Sequence, residues 1–566
     1  MKRIKTMCRG LMGMAMIVVG HTGAFGQSLD WAKHFGVAEG VSIATDASGN
    51  IYSAANFPDT ADFDPGPGIV NLVSGGGYDV AIVKQDGAGN LIWVKQIGGP
   101  GDQRCTAIAV DGDGNVCITG NFLGTADFDP GPIVFNLTSS PSLNAFVCKL
   151  DASGNFAWAK KFGEAEISLM YPYPVMSNAI AVDKAGNVCI TGSFDGKTDF
   201  DPGIDTFHLS PGRVGIFYTT DAFICKLDAS GNFVWARRLG GPDTSFEAGY
   251  AITVDNLGNI YSTGFFNGKV DFDPGPGTFM LNGPMPIGST SITDLTDVYV
   301  SKLDASGNFV WATQIKGAQQ GNGIAVDKGG NVYACGNYMN DSTVIFKLGP
   351  TGSLVWIKET GGFWCWSVAV DPDNNVYNTG QFFGTKDFDP GAGVFNLTGG
   401  NADSYISKLD SAGNFIWAKK LGGTREVWSQ SLAVRGNDNV CTIGYFNDTA
   451  DFDPGPASFN LVATKGSYDV FIQKLKPEPV GIREFVFFDM FKVYPNPTNG
   501  KFVVELKSKC SDCVLVLKNV LGQITDRRPV HNGSRLEMEI RNAPGIYTLE
   551  VYQHDDRISV KKILKN

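Results

Sequence analysis

One nine-residue stretch, Asp228-Ala-Ser-Gly-Asn-Phe-Val-Trp-Ala236, recurs along almost the whole chain and limits what the chain can fold into. Asp151 to Ala159 reads DASGNFAWA, Asp304 to Ala312 DASGNFVWA and Asp410 to Ala418 DSAGNFIWA; looser copies start at Asp86 (DGAGNLIWV) and Gly349 (GPTGSLVWI). A seventh tryptophan, Trp31 in Leu29-Asp-Trp-Ala-Lys33, has no such turn before it. Self-similarity of this kind means one structural unit stacked many times. The 566 residues are too many for a single core. Gly 71 with 18% charged residues suits turn-rich β structure rather than helical bundles.

Each unit holds four short runs with two-residue alternation, the mark of half-buried strands. In one copy these are Ala179 to Val182 (A), Asn187 to Gly192 (B), Asp221 to Leu227 (C) and Phe233 to Arg237 (D). Asp-Lys-Ala-Gly-Asn links A to B and Asp-Ala-Ser-Gly-Asn links C to D. Both read as tight hairpins in which Asp or Asn binds the local backbone and Gly takes positive φ. Strand A recurs near Ile43, Ile108, Ile180, Ile252, Ile324, Val368 and Leu432, and B, C and D recur equally often. Four-stranded units repeated radially make a β-propeller, here an all-β ring of seven blades. The array begins on a D strand (Leu29 to Phe35) and stops on a C strand (Asp469 to Leu475). The first strand is therefore expected to complete the last blade and remove an open edge.

The remaining links differ in length. Between B and C most copies carry Asp-Phe-Asp-Pro-Gly, at Asp62, Asp127, Asp199, Asp271, Asp387 and Asp451; the fifth blade has only Met339 to Thr343 there. Pro followed by Gly suits a type II turn. The B–C and D–A links share one face of the ring and the short hairpins the other. Variable loops on a rigid scaffold are where binding is expected.

Net charge is −11 with no basic block, which argues against a nucleic-acid partner or an anionic membrane surface. Lys2, Arg3, Lys5 and Arg9 precede an apolar run from Leu11 to Val19, and Ala24-Phe-Gly26 offers small residues at a cleavage site. Residues 1–26 thus read as a secretory signal peptide with a mature start at Gln27. No stretch reaches about 18 apolar residues, so no transmembrane helix is expected. Cys117, Cys189 and Cys441 fill a strand position that holds Tyr52, Tyr261, Tyr333 or Tyr377 elsewhere, which makes them packing residues.

From Leu29 to Leu475 the glycine-flanked B strands, the Asp-Phe-Asp-Pro-Gly loop and the Lys-Leu-Asp…Gly-Asn-Phe-Val-Trp hairpin resemble the seven-bladed β-propeller repeats of bacterial surface proteins. That resemblance implies a fold and an extracytoplasmic home, and no particular ligand or reaction. After Pro479 the repeat stops. Tyr494-Pro-Asn-Pro497, Asn519-Val-Leu-Gly-Gln523, Gly545-Ile-Tyr547 and the basic residues Lys561, Lys562 and Lys565 are similar to the type A C-terminal sorting domain of the type IX secretion system. The alternating strands there fit a small Ig-like sandwich. The resemblance implies the type IX machinery as a partner, and secretion or display on the outer-membrane surface. The expected organisation is 1–26 signal peptide, 27–478 propeller, 479–490 linker and 491–566 sorting domain. Cys510-Ser-Asp-Cys513 departs from the family pattern; it falls in an expected turn, where a local disulfide can form in an oxidising compartment, and a redox role is the weaker alternative because the thioredoxin-like βαβ context is missing from the pattern.

Little in the sequence points to catalysis. His34, His208, His531 and His554 are scattered, and no zinc spacing, nucleophile elbow or P-loop appears. The paired carboxylates of the Asp-Phe-Asp-Pro-Gly loops leave polysaccharide-active acid/base chemistry open, although a feature repeated in six blades is more simply structural. Asp111-Gly-Asp-Gly-Asn115 and Asp371-Pro-Asp-Asn-Asn375 resemble the start of a Ca²⁺ loop. Phe122 and Phe382 stand where a bidentate Glu would close it, so Ca²⁺ is the one candidate cofactor and a hairpin the simpler reading. The ligand candidates are Trp364, Trp366 and Trp428, in the links before the sixth and seventh blades. They are expected side by side at the mouth of the ring, where flat rings would take a glycan or a protein segment; the alternative is packing between blades. The leading expectation is a non-catalytic exported binding module. The alternatives are an extracellular polysaccharide enzyme and a spacer without a ligand.

Overall fold

The computed structural model describes residues 27–163, 175–214, 217–241, 245–284, 296–338, 342–436, 438–464, 466–477, 491–506, 513–520, 523–530, 535–553 and 556–566. The segment read as a signal peptide, the linker 479–490 and Cys510 lie outside them. The chain divides into two compact units between Glu478 and Pro479. Every regular element among the described residues is a β-strand.

Among the described residues the first unit contains seven antiparallel blades in the order A-B-C-D, six of them four-stranded sheets and blade 6 extended to six strands by Thr449–Asp451 and Asn460–Val462. Blade 3 is typical: Val175–Val182, Val188–Phe194, Asp221–Leu227 and Phe233–Leu239. The A strand of each blade touches the A strands of both neighbours, and that of blade 7 touches that of blade 1, so the ring is closed. Blade 7 takes its outer strand from the other end of the array. Gln27–Phe35 pairs with Tyr468–Pro477, with Gln27 opposite Pro477 and Phe35 opposite Val470. Side chains fasten this seam: His34 Nδ1 lies 3.1 Å from Asp469 Oδ2, and Lys476 Nζ 2.9 Å from Asp30 Oδ1.

The structure explains why the nine-residue stretch recurs. In the turn of blade 3, Asp228 Oδ1 accepts the Ser230 and Asn232 amides at 2.8 and 2.9 Å, and Gly231 sits at φ +80°. A Cβ on Gly231 would come within 2.7 Å of the Trp158 ring of blade 2, so the position needs glycine twice over. The Trp158 indole N–H donates to the Ala229 carbonyl in the same turn, at 3.1 Å. Trp31, Trp93, Trp235, Trp311 and Trp356 repeat this bond to the next blade, to Gly87, Ala152, Ala305, Pro350 and Ser411. The motif is thus half of a joint, and the Trp of the neighbouring blade is the other half.

The Asp-Phe-Asp-Pro-Gly loops are anchored in the core. Phe63, Phe128, Phe200, Phe272, Phe388 and Phe452 are fully buried. Each meets the last Phe of its own B strand edge-on, as Phe128 does Phe122 at 5.4 Å. The A–B hairpins show why Tyr and Cys alternate. Where Tyr is present its hydroxyl donates to the hairpin Asp, as Tyr52 does to Asp46 Oδ2 at 3.1 Å. In two of the Cys blades the C-strand lysine takes over, with Lys149 and Lys226 at 3.2 and 3.1 Å from Asp111 and Asp183. Burial opposes ionisation of Asp183, but bonds from Asn187 and Lys226 outweigh it and hold the carboxyl below the usual range.

In the second unit a three-stranded sheet (Phe491–Tyr494, Lys501–Leu506, Arg535–Glu539) and a four-stranded sheet (Ile524–Val530, Cys513–Asn519, Gly545–Gln553, Asp556–Lys565) share one apolar core. Phe502, Val504, Leu515, Leu549 and Ile563 lie at its centre. Cys513 is disulfide-bonded, and none of the other described cysteines is its partner.

Candidate functional site

The inner strands begin earlier than the alternation pattern indicates. Blade 6 has Trp364–Val370 and blade 7 has Val427–Arg435 as A strands, so the three candidate tryptophans stand on strands, not on the links before them. The cause is a β-bulge in every inner strand, for instance between Cys365 and Ser367 and between Ser429 and Ser431. The extra residue shifts the inside–outside phase, which hides the first turn of the strand from a period-two reading. The bulged residues are Val41, Thr106, Asn178, Tyr250, Asn322, Trp366 and Gln430, all half-buried on the innermost strand and lining the channel. Three of them also tie blades together. Thr106, Asn178 and Asn322 donate to the Ser177, Gly249 and Cys365 carbonyls of the next blade at 2.9, 2.9 and 3.0 Å.

The structure brings Trp364, Trp366 and Trp428 into one cluster. Trp364 lies 5.7 Å from Trp366 and 5.8 Å from Trp428 across the blade 6–7 boundary. The cluster continues both ways. Phe363 meets Trp364 at 4.7 Å and Phe383 at 5.1 Å; Trp428 stacks on Tyr445 at 6.0 Å with 10° between planes, and Tyr445 meets Tyr468 at 5.3 Å. All seven rings are half-buried, so each keeps part of its surface open. The Trp366 indole donates to Gln381 Oε1, and Gln381 Nε2 donates to the Ser429 carbonyl at 3.2 Å, which fixes Trp366 against blade 7.

Charged groups border the strip at the blade 7 end. The Tyr468 hydroxyl donates to Glu426 Oε2 at 2.6 Å. That bond, with burial and the charges of Glu426 and Glu39, pushes the Tyr468 pKa up to about 12. Burial and the same carboxylates raise Tyr445 as well. Beyond Glu39, Arg104 lies 3.7 Å from its carboxylate and stacks 3.6 Å over the Tyr78 ring. A polar cleft of about 330 Å³ opens beside Tyr468, lined by Asn401, Thr424, Arg425, Glu426 and Asn447. On the other side, where blade 5 has its short B–C link, a cleft of about 410 Å³ is lined by Ser342, Glu359, Thr360, Lys386 and Asp387.

The Asp pairs of the six B–C loops are engaged within the loop. Asp127 Oδ1 accepts the Asp129 and Phe135 amides at 3.0 and 2.8 Å, and Asp129 Oδ1 accepts the Gly131 amide at 2.7 Å; the other five copies repeat this. In the two calcium-like hairpins, the Asp111 and Asp371 carboxylates accept the Asn115 and Asn375 backbone and side-chain amides at 2.8 to 2.9 Å. Sequence reasoning overlooked the Asp that opens most C strands. Asp79, Asp221, Asp297, Asp403 and Asp469 are buried and hold loop amides of the variable face; Asp297, for instance, accepts the Gly317 amide at 2.8 Å and Gln314 Nε2 at 2.6 Å. The signal was present as an Asp at a fixed place before an apolar run.

Residues 492–566 match the model of the secretion system C-terminal sorting domain, and residues 92–121 and 234–264 match the beta-propeller repeat. A relative, the uncharacterized WD repeat-containing protein L264 of Acanthamoeba polyphaga mimivirus, is 24% identical over 544 residues, covering 78% of this chain and 38% of its own. The regulatory protein FlaEY of Caulobacter vibrioides is 29% identical over 120 residues, 21% of this chain and 12% of its own. The chain therefore spans well under half the length of either. Among solved structures, the Dos1 propeller aligns with 79% of this chain and 95% of its own at 10% identity and TM-score 0.38. The acylaminoacyl peptidase of Pyrococcus horikoshii aligns with 84% and 58% at 10% identity and TM-score 0.34. A sorting domain of this kind marks a chain for export to the cell surface or the medium. The first unit is thus a closed β-propeller whose sequence matches the beta-propeller repeat in two places, followed by a tail that matches the secretion system C-terminal sorting domain.

Proposed function

We propose that the protein is a non-catalytic exported binding module that holds an extended glycan or polypeptide chain across blades 6 and 7. Residues 1–26 direct it into the periplasm, and the sorting domain hands it to the type IX machinery. The observation that carries the binding reading is the pairing of Trp364 with Trp428 across the blade boundary at 5.8 Å, prolonged by Tyr445 and Tyr468 into a half-open aromatic strip. Stacking contributes about 1 kcal/mol per ring beyond area burial. The clefts at both ends of the strip suit a chain that runs past it rather than a small metabolite enclosed in a pocket. Polysaccharide cleavage is the second reading. It draws on Glu39 and Glu426, whose charges reach the same tyrosines, and not on the loop Asp pairs, which are committed to backbone amides.

A glycan array and a release assay on the same polysaccharides separate these readings. Binding without release supports the module, release supports the enzyme, and silence in both supports a spacer. In Trp364→Ala/Trp428→Ala the affinity of the folded protein should fall roughly tenfold or more. Unchanged affinity in the double variant would remove the aromatic strip as the site.

A further inference from the structure

Each junction between blades has one position where an inner-strand side chain of one blade meets a B-strand side chain of the blade before it. At the 2–3 junction these are Thr119 and Ser177, whose hydroxyl oxygens are 2.6 Å apart. At the 3–4 and 4–5 junctions the inner residue is Gly249 or Gly321, and a Cβ there would come within 2.1 or 2.3 Å of Thr191 or Thr263 Oγ1. At the 7–1 junction a Cβ on Gly40 would lie 2.8 Å from Ile443 Cγ1. The register therefore brings the two side chains into contact, to hydrogen-bond distance for Thr119 and Ser177; at the 6–7 junction Thr379 donates to the Tyr405 carbonyl instead, and Ser429 Oγ has no partner among the described residues.

By the same register the 5–6 junction holds Cys335 and Cys365. Both are fully buried in one small apolar cluster, and both are free thiols in the structure. Local contacts place both sulfurs beside the Ser367 carbonyl, and the Cys335 and Cys365 side chains interact directly. Cys365 Sγ lies 3.8 Å from the Ser367 carbonyl oxygen, while a Cβ on Gly323 would lie 3.2 Å from the Ser367 carbonyl carbon and 3.0 Å from Cys335 Sγ. Blade 5 also clamps the Cys365 backbone: Asn337 Oδ1 accepts its N–H at 3.0 Å and Asn322 Nδ2 donates to its carbonyl at 3.0 Å. Cys105 occupies the inner position at the 1–2 junction, but its B-strand counterpart is Ala54, so it has no such partner.

We propose that Cys335 and Cys365 are joined by a disulfide in the exported protein, stapling blade 5 to blade 6 beneath Trp364 and Trp366. The reaction removes two protons and two electrons from the two thiols. It requires a disulfide-bearing oxidant of the secretory compartment: one cysteine thiolate attacks its S–S bond to form a mixed disulfide, the second displaces it, and the oxidant leaves as a dithiol. Burial pushes the Cys335 thiol well above its ordinary range and shuts out reagents, so the exchange belongs to folding, before blades 5 and 6 close on each other. The disulfide at Cys513 fits a chain that matures under oxidising conditions.

The test uses the full chain exported into an oxidising periplasm, purified without reductant, unfolded in guanidinium and alkylated with iodoacetamide before digestion. The expected peptide map shows the Cys335 and Cys365 peptides linked, while Cys105, Cys117, Cys148, Cys189, Cys225 and Cys441 carry the alkyl group. Dithiothreitol present throughout the melt should lower the midpoint of the propeller transition in the native chain and leave that transition unchanged in Cys335→Ser/Cys365→Ser, the disulfide at Cys513 belonging to the other unit. Stoichiometric alkylation of Cys335 and Cys365 without prior reduction would overturn the proposal, and that readout does not depend on the double variant folding.

Discussion

The two faces of the ring are made from one repeat and use their polar groups in opposite ways. On the hairpin face the same solution recurs: an Asp holds its own turn, a Gly admits the neighbouring Trp, and the indole donates to the turn. On the variable face the residue two places before the bulged residue of each inner strand varies: Glu39, Arg104, Met176, Ala248 and Gln320 in blades 1 to 5, and tryptophan only in blades 6 and 7, Trp364 and Trp428. Repetition satisfies buried donors and acceptors and so stabilises the ring. Departure from repetition makes one sector of it different from the rest, which recognition requires.

The comparison breaks most sharply at the seam. Deleting residues 27–36 removes the outer strand of blade 7 with Trp31 and Phe35, and should cost on the order of 5 kcal/mol or more. A truncated protein that melts like the intact one would show that the ring does not depend on closure.

Within an intact ring the hairpin face should be the more sensitive. Asp183→Ala strands the Lys226 ammonium, only 6% exposed, without its counter-ion, at a cost of about 3 kcal/mol. Asp129→Ala on the variable face removes one acceptor from a solvent-exposed turn and should cost about 1 kcal/mol or less. Urea midpoints of the two variants measure the difference, and equal values would erase the distinction between the faces.

The variable face also carries a carboxyl that its surroundings do not satisfy. Asp195, just after the blade 3 B strand, is 2% exposed and neither oxygen has a partner among the described residues. Burial pushes its pKa up to about 7. The folded protein therefore binds a proton that the unfolded chain releases near pH 4, so stability falls as pH rises from about 4 to 7 and levels off above. Asp195→Asn should remove that slope and raise stability at pH 8 by on the order of 2 kcal/mol, with little effect at pH 4.5. Parallel melting curves of the two proteins across this range would rule the account out.

The fold was legible because its cause is local. Gly231 and Trp235 sit a few residues apart in sequence, and their recurrence announces a turn and a strand each time. The phase of the array also foretold the pairing of Leu29 to Phe35 with Asp469 to Leu475, which the structure extends to Gln27 and Pro477. The candidate site was legible in part. Trp364 and Trp428 could be aligned by counting back from their strand ends, but the bulge that places them on the strand leaves no mark in a period-two pattern. Tyr445 and Tyr468, which lengthen the strip, come from the B and C strands of blade 7 and meet Trp428 only through sheet pairing. Neither tyrosine differs in its sequence neighbourhood from an ordinary strand residue.

The smallest effect tests the joint itself. Trp311 is 8% exposed and donates to the Pro350 carbonyl of the next blade at 3.0 Å. Trp417 is 5% exposed, yet its indole nitrogen has no partner among the described residues. The reason lies in the seam. The equivalent acceptor in blade 7 is Pro477, two residues beyond Leu475, and Pro477 stays paired with Gln27 instead of turning back. Trp311→Phe deletes a satisfied donor, strands a carbonyl and should cost about 1 kcal/mol. Trp417→Phe loses similar apolar area but also relieves a buried donor that costs about 1–3 kcal/mol unpaired, so it should be neutral or slightly stabilising. Denaturant midpoints should therefore rank Trp417→Phe at or above the native chain and Trp311→Phe below both. Equal losses in the two variants would mean that Trp417 finds an acceptor in solution, and that the seam is joined as fully as the other six junctions.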